Sequence, residues 1–173
     1  TNNAQTSWAT QIGYTQPQYS VSAILNLKYN GWSDSYFSTS NGKARSGSAN
    51  SSNIGLRAWW RPEETGTATP SISVGYDTSE IDGATSGQET TDMLFVGLNW
   101  DDIFTPEDKI GLAFGQPQTR EDETVDPFSY EAYYQYRVND ATTVRTTVFG
   151  NSDRDGTLGN DNTGVVVETA FKF

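Results

Sequence analysis

At 173 residues the chain is at most one domain, and its formal net charge of −11 argues against a nucleic-acid partner. It has neither cysteine nor histidine, which removes disulfides, thiol nucleophiles, thiolate metal sites and the usual general base. No run of about 18 apolar residues occurs, so no membrane-crossing helix is encoded; barrel strands, which alternate, would leave no such run either.

The chain starts without an initiator Met or a signal peptide and reads as a processed or partial product. Its first periodic stretch sets Trp8, Thr10, Ile12 and Tyr14 on one face against Ala9, Gln11, Gly13 and Thr15. After a brief turn at Gln16–Tyr19, Val21, Ala23, Leu25, Leu27 and Tyr29 oppose Ser22, Asn26, Lys28 and Asn30, with Ile24 the exception. A polar stretch, Gly31–Ser52, precedes Ile54, Leu56, Ala58 and Trp60, which oppose Gly55, Arg57, Trp59 and Arg61. Ile72, Val74 and Tyr76 follow the connection Pro62–Thr69; Leu94, Val96, Leu98 and Trp100 follow the acidic segment Asp77–Thr90. Beyond Asp101–Asp108, Ile110, Leu112 and Phe114 face away from Gly111, Ala113 and Gly115. Gln116–Phe128 leads to Tyr130, Ala132, Tyr134, Tyr136 and Val138 against Glu131, Tyr133, Gln135 and Arg137, then to a tight turn at Asn139–Ala141. Val144 and Val148 oppose Arg145 and Phe149, and Asn151–Asn162 leads to the closing stretch. There Val165, Val167, Phe171 and Phe173 oppose Gly164, Glu168 and Lys172.

The pattern is about nine strands with no helical period. Connections after the odd strands read as short, and those after the even strands as long, polar and mostly acidic. A bacterial outer-membrane barrel sorts its connections this way, with short periplasmic turns and long surface loops; a soluble sandwich has no reason to. The fold expected is therefore an all-β, antiparallel, up-and-down transmembrane barrel. Because single-chain barrels of this kind have an even number of strands, an odd count predicts the C-terminal part of a larger one, with a miscounted strand as the alternative. Trp8, Tyr29, Trp60, Tyr76, Trp100, Tyr130 and Phe173 lie near strand ends on the oily face, where amphipathic rings settle at a bilayer interface.

The run Asp108-Lys-Ile-Gly-Leu-Ala-Phe-Gly-Gln-Pro117, the Tyr-rich strand Tyr130-Glu-Ala-Tyr-Tyr-Gln-Tyr-Arg-Val-Asn-Asp140 and the terminal Phe171-Lys-Phe173 together resemble the carbohydrate-selective, OprB-type porin family. The likeness is to its cyanobacterial branch, whose members join an S-layer-homology domain to a barrel, and it covers most of the chain as the C-terminal part of that barrel. The resemblance implies a trimeric channel in the bacterial outer membrane for ions and small hydrophilic solutes. It also implies contact with lipid, lipopolysaccharide and the remaining strands of the same porin.

The water-facing positions would line the pore: Lys28, Arg57, Arg61, Arg137, Arg145 and Lys172 against Glu131 and Glu168, with Trp59 and Tyr133 among them. A basic wall raises the local anion concentration; alternatively these charges pair with one another. The inward rings, Phe149 included, could stack on sugar faces or pack under a loop. No cofactor is expected. In Asn151–Asn162 the spacing of Asn151, Asp153 and Asp155, with Gly156, has the outline of a calcium loop, but Asn162 replaces the bidentate Glu and no helices flank it, so an ordinary Gly/Asp turn is the simpler reading. Neighbouring carboxylates such as Glu63-Glu64 and Asp101-Asp102 diverge in turns, which gives no support to catalysis. The rival from another class is a soluble β-sandwich that binds glycans with calcium in the 151–162 loop. If the basic wall governs permeation, replacing Arg57, Arg61 and Arg137 together by Gln shifts the reversal potential of the channel toward cations, and an unchanged potential removes the basic wall.

Overall fold

The computed structural model describes residues 4–30, 50–83 and 89–173. The strands are β1 (Thr6–Thr15), β2 (Tyr19–Tyr29), β3 (Asn50–Trp60), β4 (Ser71–Asp82), β5 (Thr90–Asp101), β6 (Lys109–Arg120), β7 (Phe128–Asn139), β8 (Thr142–Ser152) and β9 (Asn162–Phe171). They make a single nine-stranded sheet in chain order, each neighbour antiparallel. Among the described residues the only helical piece is a 3-10 turn at Arg154–Gly156, and β1 and β9 each have one partner strand.

Opposed residues in an antiparallel ladder share a face, so the register extends the alternation of each strand across the whole sheet. One row runs Ala58, Val74, Val96, Phe114, Tyr130, Gly150 and Thr163. The adjacent row, on the other side, runs Trp59, Ser73, Gly97, Ala113, Glu131, Phe149 and Gly164. Among the described residues no second layer covers the apolar face: Ile12 is 74% exposed, Val167 66% and Val165 63%. What is buried is mostly polar. Ser51, Ser79, Thr91, Thr119, Thr147 and Asp108 are covered, and among the described residues Ile81 is the one buried hydrophobic side chain.

Three strands run farther than the apolar alternation suggests. β4 continues through Asp77 to Asp82, β5 begins at Thr90, and β6 takes in Gln116–Arg120. At these ends the residues on the apolar side become polar, for example Thr78, Glu80 and Asp92, while the ladder goes on: Thr78 pairs with Asp92 and Glu80 with Thr90. Backbone hydrogen bonds need no oily side chain, so hydropathy marks where the belt ends rather than where the strand ends. The sorting of connections by length is accordingly looser than expected: residues 61–70 form a longer link than 83–89 or 121–127. Most of the polar stretch 31–52, and part of 77–90, lies outside the described residues. The β5–β6 register shifts between Asp92 and Leu94, opposite Pro117, which has no N–H for the ladder and sits where a bulge tolerates it.

The 102–108 connection shows how the turns hold themselves. Asp108, fully buried, accepts the backbone N–H of Ile103 (2.8 Å), Phe104 (3.0 Å) and Thr105 (3.1 Å), and the hydroxyl of Tyr134 (3.2 Å). Burial alone would raise its pKa, but the backbone donors stabilise the anion more, so its carboxyl stays below the ordinary value of 3.8. The folded state therefore binds its proton less readily than the unfolded chain. This contribution to stability is present above about pH 4 and is lost as the pH falls through the lowered pKa. Asp108→Asn should lower the melting temperature at neutral pH and flatten the loss of stability between about pH 5 and about pH 2, as followed by thermal unfolding in detergent; an undiminished slope in the variant removes Asp108 as its source.

Candidate functional site

Register puts all the predicted lining residues on the polar face: Lys28, Arg57 and Trp59 on β2 and β3, Glu131, Tyr133 and Arg137 on β7, Arg145 on β8 and Glu168 on β9. Arg61, just past β3, continues the same alternation. The structure gathers several of them into mixed-charge clusters. Arg57 meets Asp77 through both ends of its guanidinium (2.9 and 2.6 Å) and lies 5.4 Å from the Phe95 ring centre. Arg145 reaches Glu131 at 2.8 Å and Glu168 at 4.0 Å, with its guanidinium carbon 3.8 Å from the Tyr133 ring centre. Arg137 bonds Glu107 and Asp140, while Arg61 donates to the carbonyl of Pro17 (2.7 Å) and lies over Trp59.

Arg57, Arg137 and Arg145 thus each stand beside carboxylates, and the face carries alternating charge rather than a run of one sign. Such half-exposed pairs contribute about 0–1 kcal/mol each, so what they do is fix side-chain positions and local field. The sequence reading missed the partners Asp77, Asp101, Lys109 and Asn99. Lys109 is 3.4 Å from Asp101, and Asn99 bonds both Asp101 (3.1 Å) and the Tyr133 hydroxyl (2.6 Å). Asp77 and Asp101 had been assigned to connections; the signal that would have found them is parity, since both continue the polar face of their strands.

The two ends of the sheet differ. At the end that carries residues 16–18, 61–70, 102–108 and 140–141, the connections are stitched together. Arg61 N–H donates to Gln18 (2.8 Å), Gly66 N–H to Asp101 (2.8 Å), and the Trp100 indole N–H to Ala68 (2.9 Å). Asp102 there is held below the ordinary carboxylate range by a Thr65 side-chain hydrogen bond and by the Glu107 N–H. Trp60 and Trp100 lie near this end, where Tyr14, Tyr19, Tyr136 and Phe171 also gather on the apolar face. Trp8, Tyr29 and Tyr130 lie toward the opposite end. Tyr76 is mid-strand but is the last apolar residue of its row, and Phe173 lies just beyond β9, fully exposed.

Among the described side chains of the calcium outline, each has a partner within the protein. The Asn151 side chain bonds Ser129 and Asn162, Asp153 accepts the Gly159 N–H at 2.7 Å, and the side chain of Asp155 lies outside what the structure describes.

Aromatic rings on the polar face lie flat across glycines of the next strand: Phe95 over Gly75, Tyr133 over Gly111, Phe149 over Gly164. A Cβ at 111 would overlap the Tyr133 ring. No family model, curated protein or solved structure matches the chain. Gly111→Ala should displace Tyr133, break its bond to Asn99 and cost roughly 1–3 kcal/mol of stability; denaturant unfolding that leaves stability unchanged would show the ring to be free to move.

Proposed function

We propose that this chain is a section of the wall of an outer-membrane β-barrel porin, with its apolar face against lipid and its polar face lining a water-filled channel for ions and small hydrophilic solutes. The observation that carries the reading is the inversion of burial. Nine strands present one continuous uncovered apolar face, and the polar side chains cover one another more than the apolar ones do. Side chains crowd on the concave side of a curved sheet and spread on the convex side, so the inversion fits a sheet curled with its polar face inward. Strands of 10 to 12 residues match the roughly 9–11 needed to cross a bilayer at a tilt. The aromatic rims fit the two interfaces.

The rival, a soluble glycan-binding sandwich, needs a second sheet over the apolar face. The single sheet formed by the described residues favours the membrane. Closure of the barrel follows from strand direction. With nine alternating strands, β1 and β9 run the same way, so antiparallel closure takes an odd number of further strands from the same porin. The OprB-type resemblance, a homotrimer, lipopolysaccharide contact and an outer-membrane location belong to the same proposal. The paired charges on the wall favour mild rather than strong ionic selectivity. The test is planar-bilayer recording of the full-length protein, extracted from outer membranes with detergent. Discrete conductance steps are expected; recovery in the soluble extract, or a silent bilayer with folded protein inserted, overturns the reading.

A further inference from the structure

Toward the stitched end of the polar face a cavity of about 470 Å³ opens over β4, β5 and β6, bordered by Trp59 and Arg61 on one side and by Tyr133 on the other. One step beyond the Trp60–Ile72 pair, Arg61 heads a row that runs through Ser71, Asn99 and Gly111 to Tyr133. In the next row Ser73, Gly97 and Ala113 follow Trp59 and give the cavity a floor of small residues. Arg61 differs from the other arginines of this face. Arg57, Arg137 and Arg145 each stand beside carboxylates; among the described residues Arg61 has none within ion-pair distance. Its guanidinium is held all the same. Nε donates to the Pro17 carbonyl at 2.7 Å, and the guanidinium carbon lies 5.7 Å from the Trp59 ring centre. Both terminal nitrogens are left without a partner among the described residues, as is the hydroxyl of Ser71, the next residue of the row.

An arginine restrained against an aromatic ring, with its terminal N–H groups free, offers the parallel donors that one carboxylate accepts with both oxygens. Asp101, the one carboxylate in the lining, is already matched by Lys109 at 3.4 Å and by the Asn99 amide at 3.1 Å. The unmatched charge of the cavity is therefore positive. Glu63 and Glu64 line an adjoining cavity at the rim, which Arg61 and Ser71 also border, and they repel a dianion more than a monoanion. We propose that the larger cavity binds small organic monocarboxylates, with Arg61 holding both carboxylate oxygens and the Ser71 hydroxyl donating to one of them. The proposal rests on the channel reading for the route by which such solutes arrive; the binding itself needs no conduction.

The test is titration of sodium acetate, then sodium phosphate, into full-length protein in detergent at neutral pH and constant ionic strength, followed by tryptophan fluorescence, which Trp59 reports. Acetate gives a saturable change in the wild type, and phosphate binds at least about threefold more weakly. Arg61→Lys, which keeps the charge and loses the paired donors, weakens acetate binding at least about fivefold, and Arg61→Gln abolishes it. Arg154→Gln, in the 3-10 turn at the opposite end of the sheet, leaves it unchanged. A wild-type response without saturation, equal affinity in Arg61→Lys and Arg61→Gln to that of the wild type, phosphate bound as tightly as acetate, or an equal loss in Arg154→Gln overturns the proposal. Planar bilayers separate the two readings. Acetate at saturating concentration lowers the chloride current of the wild type and not that of Arg61→Gln. A silent bilayer counts against the channel alone, and conducting protein that shows no saturable acetate response counts against the carboxylate site alone.

Discussion

A single layer of strands exposes both of its faces, and the two faces of this sheet want different surroundings. Burying a Val, Leu, Ile or Phe side chain is worth about 1.5–3 kcal/mol, and a domain's net stability is only about 5–15 kcal/mol. Ile12, Val21, Ile54, Leu56, Leu94, Leu112, Val148, Val165 and Val167 all stand exposed on the same side. Leaving even a handful of them in water forfeits an amount comparable with everything that holds the chain folded. The backbone offers no relief, because its ladder is already complete between neighbours and gains nothing from a second sheet. Among the described residues nothing covers that face, and in the reading proposed above a bilayer is the apolar partner whose extent matches a face nine strands wide.

That constraint explains why so much of the architecture is legible from residue order alone. A strand that separates lipid from water has to alternate at nearly every step, and the runs around Ile12, Leu25, Leu56, Val96, Leu112 and Tyr134 do so without help from distant contacts. Where the chain leaves the belt, the demand lapses and the signal goes with it. Beyond Tyr76 the ladder continues through Asp82 with Thr78 and Glu80 on the formerly oily side, and such a stretch looks like a loop until its hydrogen bonds are seen. The same reason hides Asp77 and Asp101: each is one step past the last apolar residue of its strand. Register is the other quantity that single strands do not encode. That Arg57 lies diagonal to Asp77, and that Arg145 reaches across Tyr133 to Glu131, depends on how neighbouring strands slide, and the bulge opposite Pro117 shifts that sliding.

The polar face solves a different problem. Large rings alternate with glycines across the ladder: Phe95 beside Gly75, Tyr133 beside Gly111, Phe149 beside Gly164. Each ring fills the gap left by its neighbour and offers a flat surface to a guanidinium, Arg57 over Phe95 and Arg145 over Tyr133. The arginines then have an aromatic platform and a carboxylate, two restraints on a long side chain that would otherwise sample many rotamers. The charges are thereby restrained in place on the polar face.

Pairing on the face also decides where the chain's excess negative charge can go. With Arg57, Arg137, Arg145 and Lys109 each beside carboxylates, the wall comes close to balance, and much of the surplus falls at the ends of the sheet. At the stitched end it is held by backbone donors, as at Asp102 and Asp108. At the other end Glu121, Glu123 and Asp126 share a short connection in which the Arg120 guanidinium is divided between Asp122 and Glu123. In a channel of the proposed kind, two rims of one sign with a balanced wall between them would attract cations at the entrances while favouring neither ion within, an attraction that fades over a Debye length of about 8 Å at physiological salt. The contrast between the ends is thus one of compensation: the first rim satisfies Asp102 and Asp108 from its own backbone, and at the second the Glu123 oxygens are buried without a hydrogen-bond partner.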